Sequence, residues 1–186
     1  GALYIRKGVR PENLIDGGAQ EKNRRAGTEN VPGIVGLGEA ITIAAAGMEA
    51  KNKKLREIQK HFITEALKIE RSRVNGSLEH RLPGNINMCF EGIEGESLLL
   101  LLDDRGISAS SGSACTSGSL DPSHVLLALG LPHEVAHGSL RLTLCEENTE
   151  EQVDHMLREI PRVVEYLRSM SPVWKDLTSG KKQFML

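Results

Sequence analysis

Cys115 stands in a run from Ser108 to Ser119 made almost wholly of Ser, Gly, Ala and Thr. A structural cysteine normally sits among apolar neighbours. A thiol on a loop of small residues is instead open to a substrate or a partner, and its thiolate is the nucleophilic form. The competing reading is a turn-rich connector with an incidental cysteine. Arg141 alternates with Leu140, Leu142 and Leu144, so a strand would hold it on the side opposite the leucines. A guanidinium held in that way offers a fork that matches a carboxylate, although pairing with a nearby glutamate would serve equally well. Thr28 lies in RRAGTEN, immediately before a helical pattern. A hydroxyl beside helix N-terminal amides makes an anion site, and it could equally serve as an N-cap in place of Asn30.

Other polar residues carry weaker signals. His124 and His137 have no carboxylate or second histidine at ligand spacing, which favours structural roles. Cys89 falls on the polar side of an alternating strand and reads as packed rather than reactive. Cys145 ends a strand, with no functional argument attached. Three widely spaced cysteines make neither a disulfide framework nor a CxxC metal site. Gly17 and Gly18 do not form a phosphate-loop or dinucleotide pattern.

The elements that must position these residues follow from periodicity. GALYI reads as a short buried strand, and residues 16–30 as a glycine-rich polar loop. From Asn30 as N-cap, with Pro32 in the first turn, a stripe of Ile34, Ile41, Met48, Leu55, Phe62 and Ile69 predicts one long helix, with Gly47 as a possible bend. The remainder reads as a compact α+β unit: strands at 85–90 and 139–145, a short helix ending at Gly106, a brief strand at 107–110 and a helix started by Asp121-Pro122 and stopped by Gly130. The last helix opens with a capping box, Thr149 and Gln152, and is expected to kink at Pro161. Helices are expected on one face of a small antiparallel sheet, the Ser111–Leu120 loop is expected to be mobile, and the tail beyond Trp174 to be frayed.

Composition bounds the function. In 186 residues, 39% are apolar and 26% charged, the balance of a globular protein. A net charge of −2 gives no electrostatic case for nucleic acid. No apolar stretch reads as reaching the 18–20 residues of a membrane span, and free thiols suit a reducing cytoplasm.

Taken together, GALYIRKG, GGAQEKNRRAGTEN, SSGSACTSGSLDPSHVL, AHGSLRLTL and SPVWKDL, in this order, resemble the NifS/IscS group of cysteine desulfurases, in the branch with the longer cysteine loop. The resemblance covers essentially the whole chain. It implies the C-terminal portion of a pyridoxal-phosphate-dependent transferase of aminotransferase class V and fold type I. Residues 1–30 would end the large domain, residues 31–69 would form a linking helix, and residues 70–186 would be the small domain with the cysteine loop. The family's activity implies that Cys115 takes sulfur from L-cysteine as a persulfide and releases L-alanine. Arg141 would grip the substrate carboxylate, and Thr28 would reach the cofactor phosphate across a homodimer. A sulfur acceptor or iron–sulfur scaffold would be the partner, with Cys115 lending a transient cluster ligand.

Two departures accompany the resemblance. The lysine that would hold pyridoxal phosphate falls before Gly1, so the chain alone is expected to be inactive. Cys145 and Glu146-Glu147 stand where the family has glycine and then a basic residue. Two other readings stay open: a cofactor-free sulfur-carrier or dimerisation module, and a class V enzyme of the selenocysteine lyase type.

Overall fold

The computed structural model describes residues 1–111 and 122–186. Cys115 and most of its loop therefore lie outside the described residues, as does Asp121. Two compact units divide the chain, Gly1–Glu49 and Ala50–Leu186.

In the first unit, residues 1–19 carry no regular element, and Leu3 and Tyr4 are 79% and 87% exposed. This corrects the expected buried strand at GALYI. A strand needs a neighbour for its N–H and C=O groups, and none of the described strands pairs with it. The glycine-rich segment contains a single turn, α1 (Gln20–Asn23), in which Glu21, Lys22 and Asn23 all take positive φ. Asn30 then caps α2 (Val31–Ala66) as expected: its Oδ1 accepts from the Gly33 amide at 3.1 Å.

The 36 residues of α2 make a rod about 54 Å long at 1.5 Å per residue. Its heptad stripe splits by environment. Leu55 and Phe62 are buried, while Ile34, Ile41 and Met48 are each more than half exposed. One 18-residue window of α2 has a mean hydropathy of 1.5 with none of it buried. By length and composition α2 could cross a membrane, contrary to the sequence expectation. Glycine and alanine between the large side chains supply the apolar length without making one uninterrupted run of large apolar residues.

The second unit is built on a three-stranded antiparallel sheet, β1 (Ser72–Val74), β2 (Asn85–Phe90) and β3 (Ser139–Thr143), in that order. Alternation sends Ile86, Met88, Phe90, Leu140 and Leu142 to one face. There they meet Leu55, Ile58 and Phe62 of α2, Leu98 and Leu102 of α3 (Gly95–Asp103), and Val153, Ile160 and Val164 of α6 (Glu150–Met170). Each such side chain, fully buried, contributes about 1.5–3 kcal/mol. The other face is covered as well. Cys89 packs with Leu126 of α4 (His124–Ala128), Leu131, and Val135 and Ala136 of α5 (His133–His137). Helices thus lie on both faces rather than one, because Cys89 and Ser139 leave an almost fully buried patch at one end of the nominally polar face.

Gly138 explains how β3 comes so close to the turn after β2: a Cβ there would collide with the Phe90 carbonyl oxygen. The expected capping box is present, with Gln152 N–H donating to Thr149 Oγ1 at 3.3 Å and Gln152 Oε1 accepting from Thr149 N–H at 3.2 Å. The tail is docked rather than frayed. After α7 (Pro172–Thr178), the Met185 and Leu186 amides donate to the buried Glu91 carboxylate at 2.6 and 3.2 Å. Phe184 meets Trp174 edge to face and lies under the Arg71 guanidinium.

Candidate functional site

Arg141 emerges from the exposed part of the second face. Its N–H donates to Ser110 O at 2.6 Å, and its carbonyl accepts from Ser110 N–H at 3.0 Å. Ser110 and Arg141 are therefore a directly paired antiparallel couple, which is all that the expected 107–110 strand amounts to. On the other side Arg141 faces Asn87 across the β2–β3 ladder. Among the described residues no ion pair or side-chain hydrogen bond holds the guanidinium, so the glutamate pairing that sequence left open is not present there. A strand fixes the stem of the side chain and leaves its five donors without an acceptor among the described residues.

The Ser110 pairing fixes the root of the cysteine loop. Cys115 comes five residues after Ser110 in the sequence and lies outside the described residues. Thr28 belongs to the first unit, where it is exposed. Its carbonyl accepts from Arg25 Nη1 at 3.0 Å, while Asn30 takes the capping role, leaving the hydroxyl without a partner among the described residues.

The remaining candidates resolve in the described residues. Cys89 is fully buried, and burial pushes its thiol above the ordinary range, partly offset by a hydrogen bond from Asn75 and the charge of Arg73. It is packed, as its alternation predicted. Cys145 is an exposed free thiol on the turn after β3, its N–H held by Asn148 Oδ1 at 2.8 Å. His137 stacks edge to face on His133, with ring centroids 4.7 Å apart. No group of three or more metal-ligating side chains gathers among the described residues.

The donors suit part of the demands of pyridoxal phosphate. An exposed hydroxyl at Thr28 fits a phosphate oxygen, and a free fork at Arg141 fits a carboxylate. A lysine that condenses with a carbonyl must be held desolvated so that its amine is neutral. No lysine of this chain is buried, and Lys51, Lys68, Lys181 and Lys182 are engaged in ion pairs. The chain thus offers a hydroxyl of the kind that suits a phosphate and a guanidinium of the kind that suits a carboxylate, and none of its lysines is buried.

The model of the aminotransferase class-V family matches residues 9–156. A cysteine desulfurase IscS of Methanosarcina thermophila is 57% identical over 173 residues, which is 93% of this chain and 43% of that protein. A cysteine desulfurase IscS of Clostridium botulinum is 52% identical over 187 residues, covering 98% of this chain and 47% of its own length. A solved NifS-like protein superposes with a TM-score of 0.74 at 35% identity, over 88% of this chain and 42% of that one. The chain spans about half the length of the curated relatives it matches.

Proposed function

Since the chain belongs to the aminotransferase class-V family, we propose that it is the C-terminal part of a pyridoxal-phosphate-dependent cysteine desulfurase. The observation that carries this reading is the Ser110–Arg141 pairing, which holds the residue that leads into the cysteine segment against an arginine whose guanidinium has no ion pair among the described residues. That arrangement sets a carboxylate anchor beside Ser110, which precedes Cys115 by five residues in the sequence, and a reaction on the sulfur of an amino acid calls for both groups. The names of the relatives at 57% and 52% identity support the same substrate.

The residues divide the work. Arg141 binds the carboxylate of L-cysteine and orients it by two parallel N–H···O bonds. The Cys115 thiolate attacks the substrate sulfur; the new S–S bond forms as the carbon–sulfur bond breaks, its electron pair passing to carbon, which is then protonated to give L-alanine. Pyridoxal phosphate, when bound, supplies the electron sink that makes the carbon–sulfur bond breakable. Thr28 donates to its phosphate from a second copy of the chain in a homodimer, and none of the chain's own lysines is buried as an anchoring amine would need to be.

From Cys115 the sulfur passes to an acceptor or iron–sulfur scaffold protein, with Cys115 as a transient ligand of the growing cluster. The free thiols at Cys89 and Cys145 suit a reducing cytoplasm. The seven-residue recurrence of Ile34, Ile41 and Met48 on α2 suits contact with protein rather than lipid. Residues 1–30 close the large domain, residues 31–69 link it, and residues 70–186 form the small domain.

The test is turnover by the full-length protein that contains this chain. Stoichiometric alanine and sulfide from L-cysteine in the presence of a thiol reductant is the expected result, with faster turnover of L-cysteine than of L-selenocysteine. A preference for selenocysteine would reassign the enzyme to the lyase type, and no turnover of either amino acid would refute the reading.

A further inference from the structure

Four residues stand in one row across the second face of the sheet. Asn75 follows β1, and its N–H donates to Asn87 O at 2.8 Å; Asn87 faces Arg141; Arg141 pairs with Ser110. Because Ser110 takes both the N–H and the C=O of Arg141, Asn87 and Arg141 face each other as a non-hydrogen-bonded couple. In such a couple the Cα atoms approach to about 4.5 Å and the side chains come closest. Directly opposite residues of an antiparallel pair also project to the same face. The row contains amide, guanidinium and hydroxyl donors and no carboxylate.

The orientation of the Asn87 amide is set from behind. Asn75, 6% exposed, donates its Nδ2 to Asn87 Oδ1 at 2.6 Å and to Cys89 Sγ at 3.2 Å. With its oxygen taken by Asn75, Asn87 has two N–H donors left, and no side chain among the described residues accepts from them. The arrangement carries a cost, since Asn75 Oδ1 is buried without a partner among the described residues. A buried acceptor left in that state is uncommon and destabilising, so the donor it keeps aimed at Asn87 stands out as the feature the fold retains. A carboxylate has more lone pairs than one guanidinium fork can satisfy.

We infer that Asn87 is a second donor to the substrate carboxylate beside Arg141, with Asn75 as the positioning residue that fixes its amide. This rests on the reading of Arg141 given above. The pair of donors recognises an α-carboxylate specifically, so thiols that lack one gain nothing from it.

The experiment uses the full-length protein with Asn87→Asp, Asn87→Ser, Asn75→Ser and Arg141→Lys, and with Asn85→Asp as a same-strand control. Kinetics with L-cysteine are combined with binding of two probes: 3-mercaptopropionate, which has the carboxylate but no amine, and cysteamine, which has the amine but no carboxylate. Asn87→Asp should raise KM for L-cysteine and Kd for 3-mercaptopropionate by about tenfold or more, leaving kcat and cysteamine binding within about twofold. Asn87→Ser, which keeps one donor, and Asn75→Ser should move the same quantities less, and the control should not move them. If Asn87→Asp does not fold, the Asn87→Ser split between the two probes decides. Equal effects on both probes, or none, while Arg141→Lys weakens only 3-mercaptopropionate, would overturn the role of Asn87 and leave that of Arg141. If Arg141→Lys also fails to separate the probes, both roles fall.

Discussion

Arg141 and Cys89 show how a strand sorts side chains of one face into different jobs. Both project to the nominally polar side of the sheet, yet Arg141 is exposed and has no ion pair among the described residues, while Cys89 is sealed under α4 and α5. In the full-length protein, Arg141→Lys should raise KM for L-cysteine about tenfold or more, because a point charge cannot replace two parallel hydrogen bonds; steady-state kinetics read this directly. The raised thiol pKa of Cys89 has a consequence for stability. A thiol whose folded pKa lies above its unfolded value stabilises the fold fully below the unfolded value, near 9, and loses that contribution as pH rises through the folded one. Denaturant midpoints should therefore fall on the alkaline side, and Cys89→Ala should flatten that limb. Identical pH profiles for the two proteins would show that burial does not hold the thiol neutral.

At the level of elements, α6 and the docked tail carry separable contributions. Thr149→Ala removes the side chain that caps α6 and should cost about 1 kcal/mol, measured by urea denaturation. Phe184→Ala removes the edge-to-face partner of Trp174 and should cost about 0.5–1.5 kcal/mol beyond lost burial. It should also shift Trp174 emission to longer wavelength, a clean signal because Trp174 is the only tryptophan in this chain. The sequence made α6 legible because a cap, a capping-box partner and a 3.6-residue stripe all agree there. It hid β1, which has three residues and no alternation, and with it the position of Asn75. It hid the tail as well, since a polar segment held by one buried carboxylate, Glu91, has no periodicity to read. Arg141 was visible from alternation alone, whereas Asn87 had the same alternation but no chemistry of its own until Ser110 and Asn75 fixed its surroundings.

At the scale of the whole molecule, the chain spans about half the length of the curated relatives it matches, and none of its lysines is buried. Borohydride reduction of this chain with pyridoxal phosphate should therefore label no single lysine stoichiometrically, and peptide mapping would detect one if it did. Cys115 is the residue proposed to carry the sulfur. The direct measurement is mass analysis of the full-length protein after L-cysteine, with Cys89→Ser, Cys145→Ser and Cys115→Ser compared in parallel. A gain of about 32 Da, one sulfur on the nucleophilic thiol, should appear on the Cys115 peptide, persist in the first two variants and vanish in the third while the cofactor remains bound. Normal turnover by Cys115→Ser, or an adduct that maps to Cys89 or Cys145, would contradict the account.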